Sequence, residues 1–160
     1  MFYTVYINSN DKISGSNNDA TFQINWADFL DLKVDKYKVN FWFATNEDYF
    51  SDTATTKYGL ATIYLNTDGK SYSFNTVNKS YSNLLGYAEI VPNVYTGDQG
   101  YLNSTPSKNI TKIIQRPTNN MVNISIKNFS SGLPFVNSNN IGTPNTTMPM
   151  WSMVLYFEPI

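Results

Sequence analysis

Residues 5–26, "VYINSNDKISGSNNDATFQINW", hold two alternating apolar stretches with a polar break, residues 8–19, between them. Before the break, Tyr3, Val5 and Ile7 alternate with Phe2, Thr4 and Tyr6. After it, Ala20, Phe22, Ile24 and Trp26 alternate with Thr21, Gln23 and Asn25. A period of two places alternate side chains on opposite faces, so each stretch reads as a strand with one face in a core. The break is rich in Asn, Asp, Ser and one glycine, Gly15. Those residues turn a chain by side chain–backbone bonds and by positive φ. It therefore reads as the corner between two strands.

The same period recurs along the chain. "KYKVNFWF" sets Tyr37, Val39, Phe41 and Phe43 against Lys36, Lys38, Asn40 and Trp42, and "MVNISIK" sets Val122, Ile124 and Ile126 against Asn123, Ser125 and Lys127. At the end, Trp151, Met153, Leu155 and Phe157 alternate with Ser152, Val154 and Tyr156. Residues 59–66, 71–75, 87–91 and 110–115 are further strand candidates. Asp68-Gly69, between Leu65 and Tyr72, predicts a hairpin whose two central residues take positive φ. Helix is scarce: one short piece is expected over residues 76–86, with Thr76 as N-cap, Val77, Tyr81, Leu84 and Leu85 on one face and Gly86 as the stop. A second turn is expected at residues 27–32. Residues 92–109 and 128–149 read as long surface loops, and no boundary divides the chain, so residues 1–160 are expected to form one domain. The expected architecture is all-β, a sandwich or barrel of eight or nine strands.

Composition narrows the chemistry. The 160 residues include no Cys and no His, with eleven Lys plus Arg against twelve Asp plus Glu, and Arg116 is the sole arginine. Thiolate chemistry and the commonest general base and metal ligand are thereby removed. A duplex binder spends several cations on phosphates, so no direct nucleic-acid partner is expected. About one residue in seven is Asn, while 12 Tyr and 10 Phe supply core area. Amides and hydroxyls, more than Lys and Glu, wet this surface, and a weakly charged exterior can pack against a neighbour at modest desolvation cost. An AT-rich genome produces the same Asn bias without selection for packing. No signal peptide or membrane span is expected. Six Asn-x-Ser/Thr sites begin at Asn78, Asn103, Asn109, Asn123, Asn128 and Asn145, against about four expected by chance in so Asn-rich a chain.

Candidate catalytic groups are few. Asp28 with Asp31, or Glu47 with Asp48, could supply a carboxylate pair, but solvated turn and cap roles fit them better. "NSNDKISGSNND" and "NTDG" carry oxygen ligands and glycine without the ligand order or closing Glu of a calcium loop. Serines are plentiful but have no activating base. No catalytic, cofactor or metal residue is expected. Trp42 falls on the face of its strand opposite the core set, where an indole serves as a sugar platform, an interface anchor or a residue tucked under a loop. The tyrosines of "SYSNLLGY" and "NVYTGDQGYLNS" pose the same choice.

Ile7-Asn8-Ser9 with Asp11-Lys12, Asn18-Asp19-Ala20 with Phe22, and Leu84-Leu85-Gly86-Tyr87 together resemble motifs of the single jelly-roll minor capsid and penton proteins of virophages, polinton-like viruses and nucleocytoplasmic large DNA viruses. Lys12 stands where Arg is usual, Ala20 interrupts the aromatic entry, and Tyr87 replaces the commoner Phe. The resemblance implies an eight-stranded jelly roll that works by assembly and is not an enzyme. It would be a virion protein built into an icosahedral shell inside the host cell, with copies of itself (a homopentamer at the vertices) and the major capsid protein as partners. A carbohydrate- or receptor-binding β-sandwich is the competing expectation, carried by Trp42, the tyrosines and the amides, with a glycan as its partner.

Overall fold

The computed structural model describes residues 1–45, 60–72, 74–75, 80–81, 83–92, 100–104, 112–129, 132–135 and 148–160. Twelve strands occur in them: β1 (Tyr3–Asn8), β2 (Ser14–Ser16), β3 (Asp19–Gln23), β4 (Lys36–Thr45), β5 (Leu60–Asn66), β6 (Phe74–Asn75), β7 (Ser80–Tyr81), β8 (Leu84–Pro92), β9 (Gly100–Asn103), β10 (Lys112–Gln115), β11 (Met121–Asn128) and β12 (Trp151–Pro159). Short 3-10 turns occupy Ser9–Asp11 and Trp26–Asp28.

The strands hydrogen-bond in the order β1-β12-β4-β9-β8-β5-β11-β3-β2, with β10 attached to β4, while β6 pairs β7 separately. Without the short β2 and β10, the order divides into β1-β12-β4-β9 and β8-β5-β11-β3. The chain passes between these two layers in the alternation of a jelly roll, two Greek keys rolled together. Rings of the two layers meet inside: Phe22 of β3 lies 5.8 Å from Trp151 of β12, and Trp26 lies 5.5 Å from Phe157. The fold is an all-β antiparallel sandwich, as the alternation in the sequence requires.

Burial follows the period of two. On β4 every second residue from Tyr37 to Thr45 is buried. On β12, Trp151, Met153, Leu155 and Phe157 are all sealed, and on β11 so are Val122, Ile124 and Ile126. Each such side chain contributes about 1.5–3 kcal/mol relative to an exposed one. T-shaped ring pairs, such as Tyr37 with Phe157 at 6.1 Å, add to that.

Three local expectations are corrected. Residues 80–81 and 84–86 are strand, so no helix occupies 76–86 as a whole; Thr76 and Val77 lie outside the described residues. Ile63 is opposite Gly86 while Tyr64 is opposite Leu84, so Leu85 is the extra residue of a bulge, and that Leu-Leu-Gly spacing imitates a helix end. Second, Asp68-Gly69 does not make a two-residue hairpin. Gly69 lacks positive φ, and Ser71 bridges to Ile114 of β10. Gly69 is required by space, because a Cβ there would stand 2.2 Å from the Gln115 carbonyl oxygen. Third, the stretch 92–109 contains β9, whose "GYLN" has no alternation to reveal it. The turn expected at 27–32 begins one residue early, at Trp26.

Candidate docking surface

The corner at residues 8–19 has a structural answer. Asn8 caps the first 3-10 turn by accepting from the Asn10 amide at 2.9 Å. Ser9 is fully buried, and its Oγ accepts the backbone N–H of Trp151 at 3.0 Å. The Trp151 indole donates to the Asn17 carbonyl at 2.6 Å. Asn18, also buried, donates to the Phe135 carbonyl at 2.9 Å and accepts from Ser16 at 2.6 Å. Lys12 Nζ donates to Ser9 O at 3.2 Å and Asn17 Oδ1 at 3.0 Å. A cation of the protein's own therefore sits among these oxygens, the opposite of a calcium loop, which needs them free. Gly15 takes φ +87°, as a turn there demands. The motif residues Asn8, Ser9 and Lys12 thus lock the first strand, the corner and the last strand to one another.

Asp28 and Asp31 are both exposed, and Asp31 Oδ1 caps the Lys33 amide at 2.9 Å. Glu47 and Asp48 lie outside the described residues. Asp68 accepts from Thr118 N and Asn119 N, each at 2.9 Å, and from the Thr118 hydroxyl. Burial pushes its carboxyl up, but these hydrogen bonds outweigh that and leave it below its ordinary value. Among the described residues no three His, Cys, Asp or Glu side chains group as a metal site would require, and no helix is long and apolar enough to cross a membrane.

The two outer faces of the sandwich differ. On the β3–β11–β5 side an amide and hydroxyl network runs across the strands. Asn83 Nδ2 donates to Asn66 Oδ1 at 3.1 Å, Asn66 Nδ2 to Asn123 Oδ1 at 2.9 Å, and Asn123 Nδ2 to Asp19 Oδ1 at 2.8 Å. Ser125 Oγ joins it through Asn123 Oδ1 at 2.8 Å. Such a face satisfies much of its own hydrogen bonding. At its margin the Tyr87 ring packs on Phe129 at 5.7 Å, and Lys127 lies 5.1 Å from the Tyr64 ring centre.

The β1–β12–β4 side is aromatic instead. Pairing sets Tyr6 opposite Val154, and Val154 opposite Trp42, in one row across the three strands. The next row is Thr4, Tyr156 and Asn40. Tyr6 is 79 % exposed and Tyr156 39 %, Trp42 is half-buried, and Phe2, the residue before β1, is 63 % exposed. The Lys38–Glu158 ion pair, at 3.5 Å, borders the patch. Trp42 does face outward as its strand position predicts. Tyr6 and Tyr156 join it only because the first and last strands pair, which no local pattern announces. Tyr81 falls in β7 and Tyr101 in β9; Tyr95 lies outside the described residues. A weakly charged aromatic surface of this kind can stack on a sugar ring or anchor a protein partner.

No protein-family model matches the chain, and no curated protein sequence matches it. Among solved structures it is similar to a chain of the tripod (BppUct-A-L) from the baseplate of bacteriophage Tuc2009, with a TM-score of 0.32 and 13 % identity. That match covers 99 % of this chain and 64 % of the other, so the chain spans less than two thirds of its counterpart. A likeness at that score decides neither fold nor function.

Proposed function

We propose that this chain is a structural subunit of a virus particle, of penton or minor-capsid type, which packs against copies of itself and against a major capsid protein and catalyses no reaction. The observation that carries the proposal is the weakly charged face of β1, β12 and β4 with its outward rings Tyr6, Trp42 and Tyr156, set on a jelly roll whose opposite face is occupied by its own amide network. The jelly-roll order alone serves many functions. Here the residues that carry the sequence resemblance, Asn8, Ser9 and Lys12, act as parts of the scaffold, in keeping with a protein that is all framework and surface. Five copies around a vertex would meet through one repeated heterologous contact, closed by the rotation between neighbours. No direct contact with nucleic acid and no cofactor enter this scheme.

Copy counting of purified particles together with sedimentation of the isolated protein tests it. The chain is expected in every particle at a fixed multiple of the vertices, and as an oligomer in solution. Its absence from particles, or a monomer at all concentrations, retires the proposal. The outward rings of Tyr6, Trp42 and Tyr156 beside the Asn40 amide favour a second reading, a glycan- or receptor-binding module. For that module a monomer retained by a defined glycan on an array, and released by Tyr6→Ala, is the expected result.

A further inference from the structure

The inward side of β1 is not sealed as its neighbour is. Trp151, Met153, Leu155 and Phe157 of β12 are each 0 % exposed, whereas Tyr3 and Val5, paired by register with Phe157 and Leu155, stay only half-buried. β1 ends the strand order, so one of its sides is a sheet edge, and among the described residues no strand pairs with it there. Natural proteins guard such edges with charge, proline, a bulge or extreme brevity. Residues 1–10 contain no charged side chain and no proline. β1 is six residues long and pairs β12 without a register shift. The opposite end of the order is guarded by brevity, since β2 has three residues.

We propose that β1 pairs antiparallel with β1 of a second copy, about a two-fold axis at Thr4, joining two sandwiches edge to edge. The strand matches itself in that register. On the outward side Phe2 meets the second copy's Tyr6, and the reverse; on the inward side Tyr3 meets the second copy's Val5, closing both open flanks. Each same-face residue keeps its face, and no charges are opposed. Aromatic side chains bury up to roughly 150–250 Å² each, so the exposed parts of Phe2, Tyr6, Tyr3 and Val5 with the strand edge amount to on the order of 500 Å² per copy. Counted over both copies, complete burial of these parts would approach, as an upper bound, the ~1,000 Å² at which a contact becomes specific. A second copy brings the same uncharged edge and buries equal area on both sides, as a two-fold contact requires. The inference deepens the assembly proposal by naming one contact, and a two-fold contact of this kind links rings instead of closing one.

The test uses the full chain, which has no cysteine to confuse cross-linking. Thr4 is exposed and faces outward, so Thr4→Lys leaves the monomer intact, and it sets two lysines directly opposite at the axis. Sedimentation equilibrium is expected to give half the wild-type mass, with an unchanged circular dichroism spectrum. Thr4→Cys is expected to oxidise to a disulfide-linked dimer, because directly opposed Cβ atoms come within disulfide reach. Leu133→Cys, at a position 65 % exposed on another part of the surface, serves as the control that does not. An oligomer whose mass survives Thr4→Lys, with no cross-linking of Thr4→Cys above the control, overturns the β1 contact and leaves the assembly proposal standing. A wild-type monomer at every concentration overturns both.

Discussion

Lys112 supplies the sharpest physical test of this fold. The side chain is almost completely buried on β10, which pairs with β4 in one layer, and its Nζ reaches the Leu84 carbonyl of β8 in the other at 3.0 Å. Burial penalises the ammonium and lowers its pKa from the ordinary 10.5 to about 8. Between those two values the unfolded chain holds a proton that the folded chain has released, so stability rises with pH across that window and is flat below it. A separation of roughly two to three pH units corresponds to roughly 3 kcal/mol, most of which is recovered between pH 7 and pH 10. Urea unfolding followed by tryptophan fluorescence reads this as a midpoint rise of about 1 M, taking a slope near 2 kcal/mol per M. Above pH 10 an opposing effect sets in. Burial raises the Tyr37 phenol, so the unfolded state ionises first and gains. Lys112→Met removes the amine. At pH 7 its relief from desolvation and the lost bond to Leu84 nearly cancel, while at pH 10 it is less stable than the wild type. A wild-type midpoint that is flat or falling from pH 7 to 10, or the same rise in Lys112→Met, refutes the argument.

Three further outcomes follow from particular contacts. Ser9→Ala strips the buried Trp151 N–H of its acceptor and is expected to cost about 1–3 kcal/mol in urea unfolding, far more than Ser14→Ala on the exposed β2. Gly69→Ala drives a methyl into the Gln115 carbonyl and is expected to cost about 3 kcal/mol. Gly132→Ala, at φ +68° with open space around it, costs nearer ~1 kcal/mol, and thermal melts separate the two. Asp68 holds its charge more readily when folded than when unfolded, so its contribution is present above its unfolded pKa and lost as pH falls through the folded one. Asp68→Asn should therefore lower stability at pH 6 by about 1 kcal/mol, read as a small drop in the urea midpoint, and should flatten the fall between pH 6 and pH 3.

Strand identity and core facing were determined locally. Tyr37 to Phe43, Val122 to Ile126 and Trp151 to Phe157 announce their inner faces through a period of two, because a pleated backbone leaves alternate side chains no other choice. Even the buried or outward sense of Trp151 and Trp42 follows from that count. Where alternation failed, so did inference. "GYLN" became β9 because β4 and β8 offer it hydrogen bonds, and the bulge at Leu85 disguised the start of β8 as a helix end. Lys112 gave no sign of burial, since its neighbours Ile113 and Ile114 look equally apolar on either face. Which strands pair is a matter of contacts far apart along the chain, settled by the whole core at once. Only the meeting of the first strand with the last sets Tyr6, Val154 and Trp42 in one row and leaves β1 at an edge. The residues of the candidate surface were thus visible one by one in the sequence, and their assembly into a surface was a product of the tertiary fold.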